Sequence, residues 1–200
     1  MNTLTGQQES SARTRLALLN SAHQLFIEKS YQAVSVDEIA RDARVTKGAF
    51  YHHFKNKRDV LLHCYEAQLQ RISARLDAIV PPEDKWQELE DIVSCFIDYL
   101  QGHYRELIPI QEVMSVLGWY EFEHINRCYI SRRVDSILSD LKAEQCIKNY
   151  NIDLLCSLIH GFMSHITLNI KNLVDYPDFK ENFIEIYNNF LQTLRKIPDN

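Results

Sequence analysis

The sequence predicts an all-α protein of about nine helices, a small N-terminal three-helix unit joined to a larger C-terminal bundle. Three observations carry this. Five glycines and five prolines in 200 residues are few breakers, which favours helices over a turn-rich β fold. Apolar residues recur every three to four positions along most of the chain. No stretch alternates apolar and polar residues over a useful strand length, and no internal repeat or low-complexity tract is visible.

The elements follow in order. Residues 1–10 are polar and are expected to fray. From Ser11, Leu16, Leu19, Ala22 and Phe26 form one apolar stripe, and this helix should end near Lys29–Ser30. Ser35-Val36-Asp37-Glu38 reads as a capping box that opens a short helix burying Val36, Ile39 and Ala40. Arg44-Val45 turns the chain, Thr46 caps a second short helix, and Asn56-Lys57 turns it again. A long helix over about 58–79 buries Leu61, Leu62, Tyr65, Leu69, Ile72 and Leu76, and stops before Pro81-Pro82. Further helices are expected at roughly 84–101, 104–117, 120–146, 151–173 and 178–195. Pro109 should kink or shorten the second of these. The domains expected are 11–57 and 58–197.

Composition narrows the class. With 46% hydrophobic and 24% charged residues, the chain suits an ordinary globular protein. A formal net charge of −5 by itself argues against nucleic acid, but the charge is uneven. Residues 1–66 hold nine Lys and Arg against seven Asp and Glu, a net of +2; residues 67–200 hold thirteen against twenty, a net of −7. The five cysteines, Cys64, Cys95, Cys128, Cys146 and Cys156, are scattered without a CxxC, which suits a reducing cytoplasm and no disulfide framework or zinc site. The most lipid-like run, LLCSLIHGFMSHITLNI, carries two histidines, two serines and an asparagine, and reads as a buried helix, not a membrane span.

The stretch TKGAFYHHF, residues 46–54, joins two demands. On a helix, Phe50 and Phe54 fall about 40° apart and mark a buried side. Gly48, Tyr51, His52 and Lys55 fall on another arc, with Lys47 at its flank. A short helix, a turn and a second short helix is the helix-turn-helix arrangement, whose second helix enters the major groove. Thr46 can offer a hydroxyl and nearby backbone N–H groups to a phosphate, and Lys47 can meet a phosphate or a guanine edge. Tyr51 and His52 sit one turn deeper, and Lys57 is placed for a phosphate contact. A plain surface helix packed by its aromatics is the competing reading.

The segment TRLALLNSAHQLFIEKSYQAVSVDEIARDARVTKGAFYHHFKNKRDVLL resembles the N-terminal DNA-binding domain of TetR-family (tetracycline repressor-like) transcriptional regulators. The signature covers about a quarter of the chain. The resemblance implies an all-α homodimer on a near-palindromic operator in double-stranded DNA, and a C-terminal pocket whose ligand weakens DNA binding. Carried over by position, it implies DNA contacts from Ser35, Thr46, Lys47, Gly48, Ala49, Tyr51, His52, His53 and Lys57. On the helical projection His53 lies between the buried and the groove arcs, so it can support the helix as much as touch phosphate. Two positions depart from the family pattern: Ser30 and Arg44 stand where most members have glycine. Arg44 in a left-handed turn would be strained, and it adds a cation beside the DNA backbone. Replacing it by glycine is expected to flatten the salt dependence of operator binding.

The larger half supplies apolar surface. Leu158, Ile159, Phe162 and Ile166 on the 151–173 helix, with Phe183, Ile184, Tyr187, Phe190 and Leu191 on the 178–195 helix, exceed what one bundle contact needs and are expected at a dimer interface. Cys156, His160 and Ser164 share one face at i, i+4 and i+8. Cys156 and His160 are candidates for polar anchors of an apolar pocket, or simply buried polar residues. Further pocket candidates are Phe96, Tyr99, His103, Met114, Trp119, Tyr120 and Phe122, many of them expected to be core. Arg127, Arg132 and Arg133 form a basic cluster that could hold an anion or simply face solvent.

These readings favour a ligand-responsive DNA-binding regulator, a repressor released by a small, largely apolar molecule. No metal site or cofactor is expected. Control by a protein partner is one alternative. An enzyme is another, but no G-x-S-x-G, phosphate loop or HExxH is present.

Overall fold

A computed structural model describes residues 6–196. Residues 1–5, half of the stretch expected to fray, and residues 197–200, where the second expected domain ends, lie outside the described residues. The helices are α1 (Gly6–Glu28), α2 (Val36–Asp42), α3 (Lys47–His53), α4 (Lys57–Asp77), α5 (Lys85–His103), α6 (Ile110–Leu117), α7 (Trp119–Asn126), α8 (Arg132–Ala143), α9 (Ile152–Leu173) and α10 (Phe179–Leu194). α7 and α8 run on through a π-helical turn, Arg127–Ser131, so the described residues form nine helical rods. They contain no strand; one isolated antiparallel bridge joins Ile147 and Arg195.

Local chemistry explains most boundaries. Asp84 and Asn151 cap α5 and α9 by accepting from the backbone N–H of Trp86 and Leu154. Pro109 shortens the helix expected over 104–117: Tyr104–Glu106 form a separate 3-10 turn and α6 begins only at Ile110. It stands at the N-cap of α6, where its missing N–H and fixed φ do no harm. Residues 6–10 are helical and not frayed, so α1 begins a turn earlier than the apolar stripe indicated.

The chain divides into two compact units. The first holds residues up to Gln68 together with Arg105–Glu123; the second holds Leu69–Tyr104 and the residues from His124 onward. The division differs from a cut at residue 57, because 105–123 packs with the N-terminal helices. α4 contributes its first twelve residues to the first unit and the rest to the second.

In the first unit, Leu18, Ala22, Leu25 and Phe26 of α1 meet Ile39 and Ala40 of α2 and Phe50 of α3, all buried. Phe54, just past α3, is buried as well. Each such ring contributes about 1.5–3 kcal/mol on full burial. Leu16 is 58% exposed, so the buried stripe of α1 is rotated from the predicted one. Ser21 lies in this core and donates to the Ile39 carbonyl at 3.1 Å. Polar links fasten 105–123 here. Glu112 accepts from Tyr31 N–H at 3.0 Å. The buried Gln68 side chain accepts from Ile108 N–H at 2.9 Å. Arg58 pairs with Glu121.

The turn between α2 and α3 is a Schellman motif. Val45 N–H bonds the Ala40 carbonyl at 2.9 Å and Arg44 N–H bonds the Arg41 carbonyl at 3.1 Å, which places Arg44 at φ 56°. The anticipated left-handed arginine is therefore present. Arg44→Gly is expected to raise stability by about 1 kcal/mol, seen as a higher denaturation midpoint with an unchanged slope. A lower midpoint would mean that the arginine side chain outweighs its backbone strain. Ser30, at φ −66°, is extended and has no need of glycine.

The second unit is built on α5, α8, α9 and α10, with α5 packing against each of the other three. Val93, Phe96 and Ile97 of α5, Val134 and Leu138 of α8, Ile159 and Met163 of α9 and Leu191 of α10 fill its core. Among the described residues no helix is long and apolar enough to cross a membrane.

Candidate nucleic-acid interface

α2 and α3 begin on side-chain caps. Ser35 Oγ accepts from Glu38 N–H and Thr46 Oγ1 from Ala49 N–H, both at 3.1 Å. The reciprocal half of the predicted capping box is diverted, because the Glu38 carboxylate pairs with Lys29. That contact and the nearby Arg41 hold the Glu38 carboxyl below its ordinary range.

Beyond the caps, α3 separates its two faces as the helical projection requires. Phe50 and Phe54 are buried with ring centroids 5.7 Å apart, and the Arg15 guanidinium lies over Phe54 at 5.2 Å. Thr46, Lys47, Gly48, Tyr51 and His52 are exposed, and Ala49 is half-buried. Tyr51 is 52% exposed and rests only its ring edge on Phe50. A Cβ added to Gly48 would meet only Thr46 Oγ1 at 3.7 Å, an ordinary contact. Nothing among the described residues requires glycine there, and a helical glycine costs about 1 kcal/mol relative to alanine.

Two predicted contacts are corrected. Lys57 does not project to a phosphate: its ammonium donates to the Tyr31 and Val34 carbonyls at 2.7 and 2.8 Å and lies 4.1 Å from the centre of the Tyr31 ring. Burial lowers its pKa, and its work is to tie the α1–α2 connection to the start of α4. His53 is half-buried against Phe54, and burial, then His52 and Arg15, push its pKa down, which disfavours a charged contact with phosphate and suits the supporting role its place on the helical projection allows. Ser35 and Arg44 are exposed, as a contact role needs. Arg44 borders an open groove of about 410 Å³ with Leu25, Lys29, Glu38, Arg41 and Asp42. Five charged residues in that lining make it unlike an apolar effector pocket.

The sequence reading missed Asp37, whose Oδ2 lies 2.8 Å from Lys47 Nζ. The capping pattern gave Asp37 a role within α2, and nothing local to it signals a partner ten residues on.

The nine predicted pocket residues do not share one unit. Met114, Trp119, Tyr120 and Phe122 belong to the first, and Phe96, Tyr99, His103, Cys156 and His160 to the second. Trp119 and Tyr120 are 52% and 87% exposed, which corrects their placement in a pocket. Phe122 is buried and stacked on Tyr65, and Phe96 and Tyr99 are buried in the second unit. His103 stacks on Tyr99 at 4.4 Å. Cys156 and His160 do come together, on Asp135 of α8: His160 Nε2 is 2.9 Å from Asp135 Oδ1. Burial raises the Asp135 carboxyl, but the His160 ring, Cys156 and Arg127 outweigh it and leave its pKa low. Burial, then Asp135, pushes the Cys156 thiol up to about 12, so it carries no thiolate chemistry at neutral pH.

The arginine cluster is mostly structural. Arg133 bonds Glu88 at 2.7 Å and caps the end of α4 through the Leu76 and Ile79 carbonyls at 2.5 and 3.1 Å. Arg132 reaches Asp77 at 3.8 Å, and Arg127 is exposed.

The predicted dimer residues separate by burial. Ile159, Ile166, Tyr187 and Leu191 are buried in the chain's own core, a correction, because a buried side chain has no area left for a partner. Leu158 and Phe162 are 49% and 41% exposed, and with Leu154 at 62% they form a stripe at i, i+4 and i+8 along α9. Phe183, Ile184 and Phe190 are half-buried on α10, where Phe190 packs edge-on to Phe162 at 5.4 Å.

Comparison with known proteins agrees with the motif. Residues 18–64 match the family model for bacterial regulatory proteins, tetR family. The chain is 46% identical to the Transposon Tn10 TetC protein of Escherichia coli over 189 residues, 94% of this chain and 96% of that one. The fatty acid degradation regulator FadR from Bacillus halodurans shares the fold, with a TM-score of 0.73 at 18% identity over 95% of this chain and 96% of that one. FadR from Bacillus subtilis, solved in complex with stearoyl-CoA, gives a TM-score of 0.67 at 19% identity over 86% and 96%. Motif, helical architecture and a near-full-length relative lead to one conclusion: the chain belongs to the TetR family of bacterial regulatory proteins, DNA-binding transcriptional regulators and not enzymes.

Proposed function

We propose that this regulator is a cytoplasmic repressor that grips a near-palindromic operator as a homodimer and releases it when a small, largely apolar molecule binds the second unit. Ser35, Arg44, Thr46, Lys47, Gly48, Ala49, Tyr51 and His52 make the DNA contacts. The observation that carries this is Gly48: a helical glycine on an exposed polar face, where a Cβ would make only an ordinary contact with Thr46 Oγ1. Close approach by an outside backbone is a sufficient reason to keep it. The exposed stripe Leu154–Leu158–Phe162, with Phe190 beside it, supports self-association, since an apolar stripe of this kind gains by being covered.

Two α3 helices held about one duplex turn apart, roughly 34–36 Å, would read successive major grooves. A ligand that prefers another spacing lowers affinity by a coupling energy of about 1–3 kcal/mol. α4 is the natural lever, because both units share it. The stearoyl-CoA found in the Bacillus subtilis FadR structure supports a ligand of apolar body, and Phe96, Tyr99, His103, Cys156 and His160 are the candidates to receive one.

Gly48→Ala separates fold from function, because its two effects have opposite sign. Thermal unfolding should shift up, reflecting about 1 kcal/mol of added helix stability, while affinity for an operator recovered by in vitro selection should fall. Unchanged operator affinity in the stabilised variant would remove this face of α3 from the DNA interface.

A further inference from the structure

Lys47 is the single lysine of α3, which otherwise offers only two histidines as possible cations. It is not free. Asp37, in the first turn of α2, holds its ammonium at 2.8 Å, with 53% of the lysine side chain and 65% of the aspartate side chain exposed. The hydrogen bond to Asp37, and the aspartate's charge, raise the lysine's pKa above its ordinary value. Of the other cations near this face, Lys57 is committed to two carbonyls and Lys29 to Glu38, while Arg44 and Lys55 are exposed.

Non-specific DNA binding depends on how many phosphates a protein neutralises. Base recognition depends on where a donor is aimed. An acid that holds the recognition helix's lysine acts on these two differently. It cancels the lysine's charge towards any phosphate that drifts past. It also fixes the direction from which Nζ meets a base edge. An exposed ion pair is weak enough to open when a well-placed guanine edge offers two acceptors at once.

We propose that Asp37, acting through Lys47, is a specificity-determining residue that suppresses binding to non-operator DNA. This inference rests on the reading of α3 as the DNA-facing helix. Asp37 is a positioning residue: it sets the charge and direction of Lys47 and makes no base contact of its own.

The test uses the full chain, an operator duplex recovered by selection from a random-sequence library, and a scrambled duplex of the same length and composition. Asp37→Asn keeps a side-chain acceptor and removes the charge. Its binding to the scrambled duplex should gain salt dependence, the log–log slope steepening by about 0.9 per protomer and so about 1.8 for the dimer, or roughly twelvefold more loss over a fourfold rise in salt. The operator-to-scrambled affinity ratio should fall by about the same factor. Asp37→Glu should keep the wild-type ratio, and in a Lys47→Ala background Asp37→Asn should leave the slope unchanged. An unsteepened slope, an unchanged ratio, or the same steepening without Lys47 would overturn the proposal. Failure of the underlying reading looks different: Tyr51→Ala and Lys47→Ala would then leave operator binding at the wild-type level, whatever Asp37 does.

Discussion

Arg133→Ala should destabilise the chain by about 3–5 kcal/mol, the usual loss when one partner of a buried ion pair is removed. Three partners are left behind at once. Glu88 is buried, with its side chain 10% exposed, and would face an apolar surround without its guanidinium. The Leu76 and Ile79 carbonyls, at and just past the end of α4, would lose their arginine donors, leaving Leu76 with only the Ile79 N–H at 3.2 Å. The planar fork of arginine suits this post, because one side chain serves a carboxylate and two carbonyls in different directions. Arg133→Lys should therefore recover little. The paired change Arg133→Met with Glu88→Leu should recover most of the loss, since it removes both charges together. Urea denaturation of the four proteins decides it. A loss below about 1 kcal/mol for Arg133→Ala would show that water reaches Glu88 and that the pair behaves as an exposed one.

Tyr51→Ala should lower operator affinity by about 1–3 kcal/mol, the range for a side chain that reads a base. Tyr51 is half-exposed, and only the edge of its ring rests on Phe50, so the fold keeps most of its stability. Tyr51→Phe divides the effect. If the phenol O–H makes the contact, phenylalanine is as weak as alanine; if the ring packs on a sugar or a thymine methyl, phenylalanine binds like wild type. Fluorescence anisotropy on the selected operator, with circular dichroism to confirm folding, gives the answer. Wild-type affinity in a folded Tyr51→Ala protein would take Tyr51 out of the interface.

Local rules made the fold legible. Caps at Ser35, Thr46, Asp84 and Asn151 mark helix starts because a side-chain oxygen must satisfy a nearby N–H, and sequence alone shows where one stands. The left-handed Arg44 was signalled only by the glycine that most family members carry there, and backbone bonds of the Schellman turn, not a side-chain cap, fix it. Lys57 was not. Its partners, the carbonyls of Tyr31 and Val34, are backbone atoms more than twenty residues away, and no side-chain pattern announces a carbonyl. The packing of 105–123 with the N-terminal helices was hidden likewise, because Glu112 meets a backbone N–H at Tyr31 and Gln68 one at Ile108. On α9 the difficulty was the reverse. Apolar residues circle the helix, so its periodicity could not separate the inward Ile159 from the outward Leu158.

The π-helical turn at Arg127–Ser131 lets one residue more than an α-helix needs be taken up inside a continuous rod. Elsewhere in a helix, adding or removing a residue turns everything downstream by about 100° and carries core side chains out to water. Here the bulge absorbs the difference, and Val134, Ile137, Leu138 and Leu141 keep their inward aim. The rod therefore has one joint at which its length can drift over evolutionary time without loss of register. A single-residue gap between this chain and a shorter cousin belongs within 127–131, and an alignment that places it a few positions later would pair core residues with surface ones for the rest of α8.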